Sequence, residues 1–195
     1  MSGVTITTQN GLHAAVFNDN QSYGAFQPIF TGNSRAVFAV YKANSTGNSL
    51  SSYLISQLNQ QGPYWEVAIQ TTSSGDTFLV EAMNGNAVSI VSNPVNLPIT
   101  TMAVLAITYD ENSSTNSYTT YNGNTLTSIY YPGSYFFNDT MSYLNGAGNS
   151  GSGATISDVG MTLCELLIYD DVVSPADATK LQNYLITKWG LSPPS

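Results

Sequence analysis

Short runs of β-branched and aromatic residues, separated by turn-forming residues, are the feature that most constrains the fold. Residues 35 to 42 (RAVFAVYK) and 101 to 109 (TMAVLAITY) have the length and composition of central strands. Residues 64 to 70 (YWEVAIQ) alternate apolar and polar side chains, as a half-buried strand does. The pattern predicts an all-β chain.

Two Asn-Gly pairs predict hairpins, because this pair readily adopts the positive φ angles of a tight turn. Asn84-Gly85 joins residues 77 to 83 to residues 87 to 91, and Asn122-Gly123 joins SYTTY to TLTSIYY. Stretches rich in Gly, Ser and Asn are predicted loops: 44 to 49, 110 to 117 and 145 to 154.

One helix is predicted near the end of the sequence. Ser174 is a good N-cap, Pro175 suits the first helical position, and Asp177 favours a helix N-terminus. Gly190 suits a left-handed C-cap, and two prolines follow it. Four large side chains lie at helical spacing between these ends: Leu181, Tyr184, Leu185 and Trp189.

The small fraction of charged residues and the negative net charge exclude several classes of partner. Only 8% of the 195 residues are charged, and the formal net charge is -8. Nucleic acids and anionic lipids would be repelled, and no apolar stretch is long enough to insert into a membrane. The start, MSGVTITTQNG, lacks the features of a signal peptide. An extracellular or virion-surface location therefore requires a leader absent from this sequence or another route of export.

The stretch from Cys164 to Leu191, CELLIYDDVVSPADATKLQNYLITKWGL, resembles the closing signature of laminin-G-like jelly rolls in the concanavalin A-like lectin and glucanase superfamily. Upstream, NGLHAAVFNDN, RAVFAVYKA, YLISQ and LAITYDENSSTNSYTTYNGN are similar to earlier strands of these domains. The resemblance implies one domain over residues 1 to 195. Its expected fold is an antiparallel two-sheet β-sandwich, a concanavalin A-like jelly roll, with one short C-terminal helix.

The beginning of the chain departs from this resemblance. Such domains usually begin with a further strand rich in Trp and Asp, which is missing here. An open sheet edge promotes unwanted pairing. We therefore expect either that Val4 to Thr8 forms a substitute strand, or that a neighbouring subunit or an upstream segment pairs with the edge.

The candidate catalytic residues do not form a known arrangement. Glycan hydrolysis requires two carboxylates about 5 to 9 Å apart, whereas Glu165 and Asp170 are five residues apart and would point to opposite faces of a strand. His13, the only histidine, is interpreted as a filler or edge residue, and Cys164 as a small buried apolar residue. Glu165 is expected to hydrogen-bond a turn or the C-terminal helix region. We predict that the chain is not an enzyme.

Residues 129 to 143 (IYYPGSYFFNDTMSY) are the predicted recognition segment. Sugars stack on aromatic rings while their hydroxyl groups bind amides and carboxylates. The predicted glycan-binding residues are Tyr130, Tyr131, Tyr135, Asn138 and Asp139. The alternative is that half of these aromatic residues face the core, where Trp65 and Trp189 are also expected.

Calcium is the one cofactor that the loops could hold. Its sites need six to eight oxygen ligands. One candidate loop contains Asp110, Glu111 and Asn112, and another contains Asn138 and Asp139. The alternative is that an isolated Asp in a turn hydrogen-bonds its own backbone.

Three classes of function follow. The favoured one is a non-catalytic module that binds carbohydrate or mediates adhesion, with a glycan or a cell or virion surface as partner. The alternative is a structural virion or cell-surface protein, such as a fibre, spike or decoration subunit, that assembles as a homo-oligomer. A glycoside hydrolase is the third and least favoured class.

Overall fold

The computed structural model describes residues 3–18, 23–27, 34–45, 51–58, 64–71, 77–83, 88–91, 100–110, 112–113, 117–126, 141–149, 153–156 and 159–192. The first eight strands are β1 (Val4–Gln9), β2 (Leu12–Phe17), β3 (Gly24–Phe26), β4 (Arg35–Ala43), β5 (Ser51–Leu58), β6 (Tyr64–Thr71), β7 (Thr77–Met83) and β8 (Val88–Val91). The remaining elements are β9 (Ala103–Tyr109), β10 (Tyr118–Tyr121), β11 (Asn124–Leu126), β12 (Met141–Leu144), β13 (Gly146–Asn149), β14 (Gly153–Ile156), β15 (Met161–Tyr169) and α1 (Pro175–Trp189).

The strands form two large antiparallel sheets and a small ribbon. The order in the seven-stranded sheet is β1-β2-β15-β4-β9-β10-β11, and the order in the six-stranded sheet is β3-β12-β5-β6-β7-β8. β13 and β14 form a separate two-stranded ribbon. This architecture confirms the predicted all-β sandwich with one C-terminal helix.

The two large sheets pack face to face around the inner core. The buried residues that line it come from both sheets: Phe17, Val37, Ala39, Tyr41, Leu54, Ile55, Val67, Leu105 and Ile107. Alternate residues of the central strands point the other way, because successive strand side chains face opposite sides. Phe38 and Val104 are among these residues, and they form a second core with α1. The middle of the seven-stranded sheet is thus buried on both faces.

The helix begins and ends at the predicted caps. The backbone N–H of Asp177 donates to the Ser174 hydroxyl at 3.2 Å, and Gly190 has a left-handed φ of 64°. Trp189 is only 3% exposed and packs with Leu185 in the second core, as expected. Tyr184 was predicted to face the core but is 53% exposed. Ile186, which the spacing did not select, is buried instead. The side chain of Trp65 lies outside the described residues.

A β-bulge in β15 decides which side chains face the helix. Leu163 lies opposite Tyr41 and Glu165 lies opposite Val40, so Cys164 is an extra residue in the strand. Strict alternation from Leu163 would point Glu165 into the inner core. The bulge instead leaves Cys164 and Glu165 on the helix side, while Leu166 returns to the inner core.

Glu165 connects the bulged strand to the last turn of the helix. Its Oε2 accepts a hydrogen bond from the indole Nε1 of Trp189 at 2.7 Å, and its Oε1 accepts one from Lys188 Nζ at 3.0 Å. The hydrogen bond to Glu165 is the main reason that the pKa of Lys188 is raised. The expectation that Glu165 binds the helix region is confirmed.

The N-terminal hairpin supplies the substitute strand predicted from Val4 to Thr8. β1 pairs with β2 around a two-residue turn, Asn10-Gly11, whose φ angles are 49° and 75°. The Asn10 side-chain amide donates to the backbone carbonyl of Lys188 at 3.1 Å. The turn therefore also binds one of the free carbonyls at the end of α1.

One loop prediction is wrong. Part of residues 145 to 154 forms β13 and β14, which pair from Gly146↔Ile156 to Asn149↔Gly153. The Gly-rich composition reflects close packing here, because the Ser56 hydroxyl on β5 donates to the Gly146 carbonyl at 2.8 Å. Within the described part of the chain, no helix has the length and apolar character needed to cross a bilayer.

The first testable prediction concerns the Trp189 ring and its hydrogen bond. Trp189→Ala should lower the free energy of unfolding by about 3 to 5 kcal/mol, because a buried aromatic ring is lost. Trp189→Phe should cost about 1 to 3 kcal/mol, since it leaves the Glu165 carboxylate without one donor. Urea unfolding followed by circular dichroism measures both values.

Tyr184→Ala is the matched control on the same helix. Its ring is largely exposed, so its removal should change the free energy of unfolding by less than about 1 kcal/mol. Equal losses for Trp189→Ala and Tyr184→Ala would show that the helix is not docked through Trp189.

The second prediction concerns the bulge. Deleting Cys164 makes Leu163 and Glu165 consecutive, opposite the consecutive residues Tyr41 and Val40, so a regular strand results with Glu165 still facing the helix. This variant should remain folded. Deleting Leu167 shifts Ile168 from the inner core to the helix face and should be far more destabilising. Similar melting temperatures for the two deletions would contradict the account of the bulge.

Candidate functional site

The predicted recognition segment leads directly into a strand at one side of the six-stranded sheet. Residues 127 to 140 lie outside the described residues, and with them all five predicted glycan-binding residues: Tyr130, Tyr131, Tyr135, Asn138 and Asp139. The described end of the segment is the start of β12. This strand pairs with β5 on one side and with the edge strand β3 on the other.

β12 places an aromatic ring on the outer face of the sandwich. Leu144 packs against the inner core and Ser142, two residues away, is fully buried. Tyr143 lies between them and points outward, because strand side chains alternate. Its ring centroid is 6.2 Å from that of Tyr23, and the two planes are tilted by 49°. Tyr23 immediately precedes β3 and is 39% exposed.

The ribbon of β13 and β14 bounds this aromatic pair on one side. Asn145 has a φ of 55° at the bend between β12 and β13. Ser56 lies directly opposite Tyr143 in the sheet and therefore shares its face. Because Ser56 is covered by Gly146, the ribbon lies over β5 next to Tyr143. The Tyr23–Tyr143 pair thus lies between the sheet edge and the ribbon.

This arrangement suits the recognition of a sugar ring. Two tilted tyrosine rings offer apolar faces for C–H groups, and their hydroxyl groups can donate or accept hydrogen bonds. Polar backbone of the ribbon lies alongside. The site does not depend on charge, which fits a ligand with many hydroxyl groups.

A second concave surface lies where β15 meets the start of α1. It is a groove of about 400 Å³ lined by Tyr169, Val172, Val173, Ser174, Asp177, Lys180 and Leu181. The Tyr169 ring is held edge-to-face against Phe38, with centroids 6.0 Å apart. The Tyr118 hydroxyl donates to the Val173 carbonyl at 3.1 Å and fixes the groove's apolar wall.

The polar groups of this groove bind each other. The Asp177 carboxylate accepts hydrogen bonds from Lys180 Nζ and from the Ser174 hydroxyl, both at 2.8 Å. These two bonds, that of Lys180 first, lower the pKa of Asp177. They serve the helix N-terminus, so the groove offers a ligand mainly apolar contacts.

Asp110 and Asn112, two of the predicted calcium ligands, lie in a turn that Asp110 closes with its own hydrogen bonds. The Asp110 carboxylate accepts the backbone N–H of Asn112 at 2.9 Å, and the Asp110 N–H donates to the Ser117 hydroxyl at 2.9 Å. In the described residues, no three His, Cys, Asp or Glu side chains are grouped as metal ligands. Asp110 thus forms the backbone hydrogen bond of the alternative interpretation, and calcium binding stays a prediction. Glu111, Asn138 and Asp139 lie outside the described residues.

The residues considered as catalytic candidates lie away from both of these surfaces or are partly buried. The thiol of Cys164 lies 3.6 Å from the Met102 sulfur, and burial raises its pKa to about 11. His13 is exposed on β2, and Asp170 follows the end of β15. The carboxylates of Glu165 and Asp170 do not belong to the surface that carries Tyr23 and Tyr143.

Neither ring of the pair was among the five predicted residues: Tyr143 lies in the predicted segment, whereas Tyr23 lies far outside it. Tyr23 precedes a strand of only three residues, and its neighbours carry no alternating pattern. Its relation to Tyr143 depends on the pairing of β3 with β12, which joins segments far apart in the chain. A local motif could not have identified it.

Comparison with known proteins yields structural matches alone. No family model matches the chain, and no curated protein matches its sequence. A botulinum neurotoxin type C structure, from work on cell entry through two ganglioside molecules, superposes with a TM-score of 0.65 at 13% identity. The match covers 93% of this chain and 46% of the toxin chain, so this chain spans less than half of that protein.

Two smaller domains also match. Domain 4 of the extracellular arabinanase AbnA from Geobacillus stearothermophilus, solved with arabinotriose, has a TM-score of 0.67 at 16% identity and covers 93% of this chain and 82% of its own. The CBM40 of the Ruminococcus gnavus IT-sialidase, bound to α2,3-sialyllactose, has a TM-score of 0.58 at 14% identity, with coverages of 91% and 96%. The fold of this chain is therefore a two-sheet β-sandwich of the jelly-roll type, as the sequence predicts.

Proposed function

We propose that this chain is a non-catalytic carbohydrate-binding module. The observation that carries the proposal is the pair of exposed Tyr23 and half-buried Tyr143, at the point where the predicted recognition segment enters the sandwich. The binding surface consists of this pair together with Tyr130, Tyr131, Tyr135, Asn138 and Asp139. Rings supply stacking, and amide and carboxylate groups supply hydrogen bonds to sugar hydroxyls.

The chemistry of the surroundings supports a neutral or weakly charged glycan. The chain has only four Lys and Arg residues, which leaves few cations to bind strongly anionic ligands. Structures with the same fold were solved with arabinotriose and with α2,3-sialyllactose. These two sugars are therefore suitable first probes, one neutral and one with a single carboxylate.

The proposal does not include a catalytic step. Glu165 is held by Trp189 and Lys188, on the helix face of the other sheet. A retaining or inverting glycosidase needs a pair of carboxylates across the scissile bond. The surface around Tyr23 and Tyr143 has aromatic character instead, which favours holding a glycan over cutting it.

An adhesive role at an extracellular or virion surface follows as part of the proposal. A surface with few charges and many Asn, Ser and Thr residues suits contact with glycans on another cell or particle. A purely structural subunit, such as a fibre or decoration protein, remains the second candidate. That candidate would not need this aromatic pair.

The third testable prediction concerns binding. A glycan array that includes arabinan and sialylated oligosaccharides should give at least one binder, with an affinity measurable by calorimetry. Tyr143→Ala should weaken that binding by roughly 10-fold or more, because stacking of one ring contributes about 1 to 3 kcal/mol in comparable aromatic contacts. Tyr23→Ala should have a similar effect.

Tyr169→Ala and Tyr184→Ala are matched controls, since each removes an exposed tyrosine from another surface. They should leave the affinity unchanged, and the bound oligosaccharide should be recovered uncut. Loss of binding in Tyr169→Ala, with full binding in Tyr143→Ala, would move the site to the groove beside α1. The absence of any binder would favour the structural role.

A further inference from the structure

The N-terminal hairpin has an exposed outer edge. β1 is the terminal strand of the seven-stranded sheet, and the strand that pairs with it in the described residues is β2. Thr5, Ile6, Thr7 and Thr8 are all exposed. Ile6 is 67% exposed, although it shares a face with Val4, which packs against the inner core.

The hairpin turn fixes which backbone groups point to this edge. A two-residue turn is closed by a hydrogen-bonded pair, here Gln9↔Leu12. Hydrogen-bonded pairs then alternate along the ladder, so Thr7 and Thr5 also direct their N–H and C=O groups toward β2. Val4, Ile6 and Thr8 direct theirs outward. The edge thus presents three regularly spaced donor and acceptor pairs.

Within residues 3 to 18, which the structure describes, the edge lacks the usual protection against pairing. Natural edge strands carry charged residues, proline or a bulge. Residues 1 to 18 contain no Asp, Glu, Lys, Arg or Pro, so all sixteen acidic and basic residues of the chain lie elsewhere. The β1–β2 register is also regular from Val4↔Phe17 to Gln9↔Leu12.

We propose that the outer edge of β1 pairs with β1 of a second copy of this chain, antiparallel and centred on Ile6. The pattern is self-complementary: Ile6 lies opposite Ile6 of the partner, and Val4 lies opposite Thr8 of the partner. Each of these three pairs exchanges two backbone hydrogen bonds. The two seven-stranded sheets then form one continuous sheet across a two-fold axis.

The charge distribution makes the N-terminal hairpin a place where two copies of this chain can meet. Two chains that each carry a net charge of -8 repel over most of their surfaces. The N-terminal hairpin is the uncharged exception, so contact through it brings no acidic side chains of that segment together. The exposed isoleucines also become neighbours on one face of the new strand pair.

Sedimentation equilibrium or light scattering with mass determination tests the proposal on the full chain. The wild type should form a dimer at micromolar to tens-of-micromolar concentrations. Ile6→Lys should shift the protein to monomer, because two like charges would lie directly opposite across the axis. Thr7→Lys is the matched control, since position 7 lies opposite Thr5 of the partner and should retain most of the dimer.

Cross-linking tests the register itself, in a Cys164→Ala background. Thr5 of one chain and Thr7 of the other form a non-hydrogen-bonded pair. Their Cα atoms would be about 4.5 Å apart, within the range of a disulfide. A mixture of Thr5→Cys and Thr7→Cys proteins should therefore cross-link under mild oxidation far more than either alone. A monomeric wild type, or a dimer that persists fully in Ile6→Lys, would overturn the proposal. Equal cross-linking of the mixture and the single variants would also overturn it.

Discussion

The burial of the seven-stranded sheet on both faces is the constraint on which the structure depends. β4 and β9 are buried along almost their whole length, so one face requires the six-stranded sheet and the other requires α1. A helix of fifteen residues is marginal alone and depends on its packed face. Side chains from β15 and from the N-terminal turn therefore hold its end: Glu165 binds Trp189 and Lys188, and Asn10 binds the Lys188 carbonyl.

The bulge at Cys164 lets β15 contribute side chains to both the inner core and the core beneath α1. Before the bulge, Met161 and Leu163 face the inner core, and after it Leu166 and Ile168 do. Because of the extra residue, the Glu165 carboxylate lies two positions after the core residue Leu163 and still points away from the interior. An unpaired carboxylate buried between the sheets would be costly, and here it instead forms hydrogen bonds to a helix that must be fixed in place.

The features that sequence predicts best are those set by local chemistry. Ser174 and Gly190 fix the helix ends, and Asn122-Gly123 forms its hairpin with φ angles of 48° and 80°. Asn10-Gly11 carries the same signal, so the N-terminal hairpin was also predictable from that pair. The helical spacing correctly predicts that Trp189 is buried. The same spacing wrongly predicts that Tyr184 is buried, because spacing alone does not fix which side of the helix faces the sheet.

The features that sequence could not give are non-local. At Cys164 the alternation of side chains between the two faces of β15 shifts by one residue, which depends on the register with β4. The ribbon of β13 and β14 depends on its contact with Ser56. The aromatic pair depends on β3 reaching β12 across the sheet edge. Composition identified residues 129 to 143 as aromatic and polar, but only the sheet topology brings Tyr23 beside the end of that segment.

Chemical-shift mapping by NMR tests the location of glycan recognition most directly. The 20.8 kDa chain, labelled with ¹⁵N, would be titrated with the strongest oligosaccharide binder. The account predicts that amide shifts concentrate at Tyr23, Tyr143 and the residues that lead into β12, with little change along α1. Shifts centred on Tyr169, Ser174 and Lys180 would contradict it.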